Sequence, residues 1–176
     1  MSFNFHNLDH EEIRQIIHDE INYDIENKVV YYSKRFNENG QKNYLELLFN
    51  HTRTGSEQTL AEDLKSMNCF KEKEDRITKG RTISASVPAN AHLVFAEGEF
   101  NRFYIRAVCI KALKENKNVI VYRARSSENP REESELLIGK SVDPSKLLKD
   151  LRTNIGIDTA LGLPHGPNSG LSVKLG

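Results

Sequence analysis

Glu99, Arg102 and Arg106 stand at i, i+3 and i+7 of an apolar segment, and on an α-helix that spacing puts all three on one narrow stripe. Glu97 and Asn101 form a second stripe roughly opposite. Around them Phe100, Phe103, Tyr104, Ile105, Ala107, Val108, Cys109, Ile110, Ala112 and Leu113 cover nearly the whole circumference, so the segment is expected to be surrounded on most sides. Charges in such a place need partners, because an unpaired buried charge is strongly unfavourable. Two chemistries fit. In one, Glu99 bridges both arginines in an internal ion-pair ladder that Glu135 or Asp150 completes. In the other, Arg102 and Arg106 join Arg123 and Arg125 in an anion site, whose planar forks would hold a phosphate or carboxylate.

A second candidate is the loop 163–170, LPHGPNSG. Its glycines, Asn168 and Ser169 are residues that can aim backbone N–H groups at an anion, and His165 titrates near neutral pH and can act as acid or base. The alternative for this loop is a tight connection that orients the last strand. Gly139-Lys140-Ser141 holds only the end of a phosphate-binding loop motif and lacks its first glycine. The charged run 71–81, KEKEDRITKGR, carries acids that offset most of its lysines, leaving Arg76, Lys79 and Arg81 as a net basic end. It reads as a solvated loop or as an arm that contacts phosphates. The histidines are scattered, with no HExxH and no cysteine pair, so no metal site is expected. There is no GxSxG elbow, and Cys109 is too deep in the apolar segment for a natural nucleophile.

The elements that would position these groups follow from periodicity. Ile13, Ile16, Ile17, Ile21 and Ile25 recur at helical spacing, predicting a helix to about Asn27 with Asn7 or Asp9 as its cap. Residues 29–36, VVYYSKRF, read equally as a strand or as more helix, and the Asn37–Gly40 stretch reads as its end. Helices follow over 41–51 and from Ser56 to Met67, the second with Thr59 three residues after its cap. Residues 68–87 read as a charged connecting loop leading to a short extended segment, the best place in the chain for a hinge. Pro88 and Asn90 open the long helix, and Gly98 inside it predicts a close backbone approach or a kink, by another helix or a second subunit. A buried strand (119–125), a helix (144–153) opened by Pro144, and a final alternating strand beside the first complete the pattern.

Length and composition place limits on function. A chain of 176 residues with 38% hydrophobic and 28% charged residues is the size and composition of one globular domain. The expected fold is α+β or α/β, helix-rich, with a helical part over 1–67, the connecting loop over 68–87, and a long central buried helix packed on a small sheet over 88–176. Lysine plus arginine equals aspartate plus glutamate at 25 each, which excludes a global field that would hold a polyanion, so any nucleic-acid role needs a local patch. No run is long enough to span a bilayer, the N-terminus lacks signal-peptide character, and two unpatterned cysteines suit a reducing compartment. A cytoplasmic address is expected, with no cofactor and no membrane association. The leading functional expectation is a non-enzymatic binding module that meets an anionic partner, nucleic acid or nucleotide, through Arg102, Arg106, Arg123 and Arg125. The alternatives are an enzyme acting on a phosphate-bearing or nucleotide substrate, with His165 as acid or base and Glu97 or Glu99 as its partner, and a structural subunit of a homo-oligomer.

Overall fold

Three amphipathic helices fill the first third of the chain, and their ends are set by side chains that answer the unpaired N–H groups of a first helical turn. The computed structural model describes residues 2–156 and 169–176. Helix α1 (Glu11–Glu26) buries Ile13, Ile16, Ile17 and Ile21, together with Glu20 and Asp24. Its N-cap is His10, which makes no side-chain capping bond, so neither Asn7 nor Asp9 caps it. Glu11 and Glu12 place negative charge in the first turn instead. Residues 29–36 form neither strand nor helix, apart from an isolated bridge between Phe36 and Phe70.

Helix α2 (Glu38–Thr54) begins where the sequence suggested a stop: the Asn37 side chain accepts a hydrogen bond from the Gly40 N–H at 3.1 Å, so this stretch caps a helix rather than ending one. Gly40 is required there, since a Cβ would sit 2.3 Å from the Cys69 carbonyl oxygen. Helix α3 (Glu57–Ser66) starts with the expected reciprocal cap between Ser56 and Thr59.

Residues 68–87 are not a loop with a short extended segment. They hold a complete β-hairpin, β1 (Lys73–Thr78) and β2 (Arg81–Ser86), antiparallel with Thr78 opposite Arg81. Lys79 and Gly80 make the two-residue turn, both at positive φ (50° and 74°), the combination that matches the twist of the flanking strands. Every strand residue except Glu74 and Ala85 is exposed.

Helix α4 (Ala91–Lys114), 24 residues and about 36 Å long, is the axis of the molecule. It packs against α1, against α3, and against the helix α6 (Pro144–Thr153), and from Ala96 to Cys109 nearly every residue is buried. Strand β3 (Val119–Arg123) lies at the centre of a three-stranded antiparallel sheet, between β4 (Ser141–Val142) and β5 (Leu171–Leu175), with Val121 opposite Val173. A one-turn helix, α5 (Glu132–Glu135), precedes β4. The fold is therefore mixed α+β, helix-rich, with the long helix packed on a small sheet. One cluster of buried apolar side chains runs from Ile13 through Leu48, Leu64, Phe100 and Phe103 to Val121, Leu147 and Val173. Among the described residues, no helix is long and apolar enough to cross a membrane.

Candidate functional site

The stripe predicted on α4 exists, and its partners come from α1. Arg106 is fully buried; its Nε donates to Glu20 at 2.7 Å, and its two terminal nitrogens reach both oxygens of Asp24 at 2.9 and 2.8 Å. Arg102, 7% exposed, donates to Glu99 at 2.7 and 3.2 Å and to Asp24 at 3.2 Å. Tyr44 from α2 donates its hydroxyl to Glu99 at 2.9 Å, and Arg152 from α6 pairs with Glu20. Phe103 lies under both arginines, with ring centroids 4.3 Å from the Arg102 guanidinium and 5.0 Å from that of Arg106.

The result is three guanidiniums facing three carboxylates across four helices. Glu135 and Asp150 do not take part: Glu135 pairs with Arg123 and Asp150 accepts from Asn154. Burial alone would lower the Arg102 pKa, but Glu99 beside it, together with Tyr44 and Asp24, outweighs that effect and the net shift is upward. Tyr44 is pushed well above its ordinary range by burial and by the Glu99 charge.

The strand-exit arginines sit elsewhere. Arg123 donates to the Ser169 carbonyl at 3.0 Å, to Ser134 at 3.1 Å and to Glu135 at 2.5 Å. Arg125 approaches Glu97 at 3.3 Å and lies over the Phe3 ring at 5.5 Å. So the four arginines divide into a buried pair on α4 that faces α1 and two at or just past the end of β3, each facing a carboxylate of this chain. Glu97 and Glu99 likewise face different partner sets, and His165 lies outside the described residues.

The surroundings of Glu97 are polar and tightly enclosed. Burial raises its pKa, the neighbouring Arg125 pulls the other way, and the nearby Glu57 adds to the rise. The Arg125 approach is at ion-pair distance, and Glu97 Oε2 has no hydrogen-bond partner among the described residues. One turn on, Asn101 donates to the Leu171 carbonyl at 2.8 Å while its own side-chain oxygen is unmatched among the described residues. Glu57 holds the N-terminal segment by accepting from Ser2 and from the Phe3 N–H, both at 2.9 Å. Gly98 needs no close neighbour within the described residues, since a Cβ there would meet nothing within 4 Å. Cys109 has its thiol pushed up to about 12 by burial and by the Asp143 and Glu20 charges, which removes it as a nucleophile. Among the described residues, no group of three or more potential ligands could hold a metal.

The feature that sequence reasoning did not resolve is the hairpin's shape. Its strands pair with each other and touch the body only near the root. There Arg35 grips Glu74 through two hydrogen bonds, at 2.6 and 3.0 Å, and Val87 N–H donates to the Glu72 carbonyl at 2.9 Å. Toward the tip Arg76 shares Glu74 at 2.7 Å, while Lys79 and Arg81 make no ion pair among the described residues. From Arg76 to Ala96 the sequence contains no Asp or Glu, so the distal half of the ribbon is purely cationic. A shallow groove of about 700 Å³ opens beside the root, lined by Phe36, Asn37, Glu38, Gln41, Lys42 and Lys71. Comparison of the chain with protein-family models, with curated proteins and with solved structures finds no match.

Proposed function

We infer that this chain is a binding module for an anionic partner, a nucleic acid, and that its contact element is the β1–β2 hairpin rather than the arginines of α4. One observation carries this reading: Arg76, Lys79 and Arg81 cluster on a projecting ribbon within an acid-free stretch of a chain whose net charge is zero. In a neutral protein such a concentration produces a local positive field at the hairpin tip, beyond Asp75 and the Glu74 that pairs with Arg76. Lys42 and Lys71, at the groove beside the root, extend the basic surface toward the body. Arg102 and Arg106 serve a different purpose in this account. A buried guanidinium already saturated by carboxylates has no donors to offer a ligand, and withdrawing it would leave carboxylates buried without partners.

The enzyme reading needs His165 to meet Glu97 or Glu99, with the arginines as charge stabilisers, in one cleft. Glu97 and Glu99 are engaged on separate sides of α4, so the reading rests on Glu97 and its raised pKa alone. The oligomer reading rests on Gly98, beside which no described residue needs the space.

The test is a binding titration on duplex DNA over a range of salt concentrations, comparing the wild type with a Lys79→Gln/Arg81→Gln variant. Removing two phosphate contacts is expected to weaken binding and to reduce the slope of log K against log salt by about 1.8. Unchanged affinity and slope would refute the assignment to the hairpin.

A further inference from the structure

We propose that the hairpin seats in the minor groove of double-stranded DNA and that Ile77 wedges between base steps there, so that the module selects deformable duplex rather than a base sequence. The proposal rests on the nucleic-acid reading above and specifies its ligand.

The pairing register assigns the side chains to faces, because directly opposed residues in an antiparallel pair share one side. Lys73, Asp75 and Ile77 share a face with Thr82, Ser84 and Ser86; Glu74, Arg76 and Thr78 share the other with Arg81, Ile83 and Ala85. The second face turns toward the body at its root, where Glu74 and Ala85 are partly covered and Arg35 takes hold. The first face is open along its whole length, and near its tip it carries Ile77, 82% exposed. An isoleucine at that exposure forgoes its burial free energy within the chain, and no packing requirement of the fold explains it.

The composition of the open face narrows the partner. From root to tip it carries Lys73 opposite Ser86, Asp75 opposite Ser84 and Ile77 opposite Thr82, so beyond Asp75 it offers one apolar wedge and one hydroxyl, with no amide or guanidinium fork for reading base edges in the major groove. Hydroxyls can donate to the adenine N3 and thymine O2 acceptors that line the minor groove, and an aliphatic wedge is the device by which minor-groove proteins unstack a step. Lys79 in the turn is placed to meet a phosphate at the groove edge, while Arg81, opposite Thr78, projects from the other face of the ribbon. Six-residue strands reach about 20 Å from the root, more than the roughly 7.5 Å depth of the groove.

Single strands fit poorly. From Lys71 to Val94 the chain has no Phe, Tyr or Trp, so the arm lacks the aromatic platforms on which unpaired bases stack. Duplex RNA presents a wide, shallow minor groove that would not grip a single wedge.

The experiment uses the full chain with a duplex of about 30 base pairs that is labelled at both ends for energy transfer and carries 2-aminopurine at a central TA step. The wild type is expected to raise both energy transfer and 2-aminopurine fluorescence. Ile77→Ser, at a site too exposed to affect folding, is expected to bind about 10-fold more weakly, keep the wild-type salt slope, and lose both signals. An Ile77→Ser protein that bends and unstacks the duplex as the wild type does would overturn the wedge while leaving the nucleic-acid reading intact, as would a wild type that binds without bending or that prefers single-stranded DNA or duplex RNA. Failure of the wild type to bind any nucleic acid would overturn that reading and the wedge together.

Discussion

Arg106 shows what an ionic core demands of its residues. Its guanidinium has no exposed surface and donates to Glu20 and to both oxygens of Asp24, so the charge is kept in the interior by geometry that leaves few donors idle. Truncating it to Met would keep much of the volume but leave Glu20 with Arg152 alone and buried Asp24 with a single 3.2 Å contact from Arg102. Arg106→Met is therefore expected to cost about 3–5 kcal/mol of unfolding free energy in urea titrations, and a loss below about 1 kcal/mol would show that the pairs are not coupled. At this scale the sequence revealed the cations and concealed their partners. Arg102 and Arg106 stood out because apolar residues flank them, whereas Glu20 and Asp24 passed as part of the acidic face of α1. The signal was present, since 20 and 24 continue the spacing of Ile13, Ile16, Ile17 and Ile21, positions where apolar residues would be expected.

The elements differ in how plainly they announce themselves. α4, β3, α6 and β5 bury most of their surface, so apolar pattern and helix openers such as Pro144 located them to within a few residues, and in the structure Asp143 caps α6 by accepting from Lys146 N–H at 3.0 Å. The β1–β2 hairpin buries almost nothing, so its strands show no apolar alternation, and its turn places Lys79 where Asn or Asp would have signalled a hairpin. Its stability has to come from the root. The hydrogen bonds from Arg35 and Arg76 hold the Glu74 carboxyl down at about 2, below its ordinary 4.5. A depressed folded value means that the bond helps fully above pH 4.5 and is lost as pH falls toward 2. The cross-strand NMR contacts between Lys73 and Ser86 are accordingly expected to weaken over that interval, and to be weak already at neutral pH in Arg35→Ala. Contacts that persist at low pH, or survive in the variant, would show that the root is held by other means.

Across the whole molecule the positive charge is divided between two tasks. Arg102, Arg106 and Arg152 are matched by Glu20, Asp24 and Glu99 and, with Tyr44, tie together α1, α2, α4 and α6, while Lys79 and Arg81, without an ion pair among the described residues, sit on a ribbon that the core does not need. The balance of 25 basic and 25 acidic residues hid this division, because a sum over the chain cannot distinguish paired interior charges from a free arm. The central claim is that binding resides in the hairpin and folding in the rest. Its most direct test is to replace residues 73–86 with a two-residue Gly link, which the hydrogen-bonded pair Glu72 and Val87 is positioned to accept, and to measure thermal midpoint and duplex-DNA affinity on the same protein. The account predicts a midpoint within about 4 °C of the wild type and loss of DNA binding. DNA binding that survives the excision, or a body that unfolds without its hairpin, would contradict it.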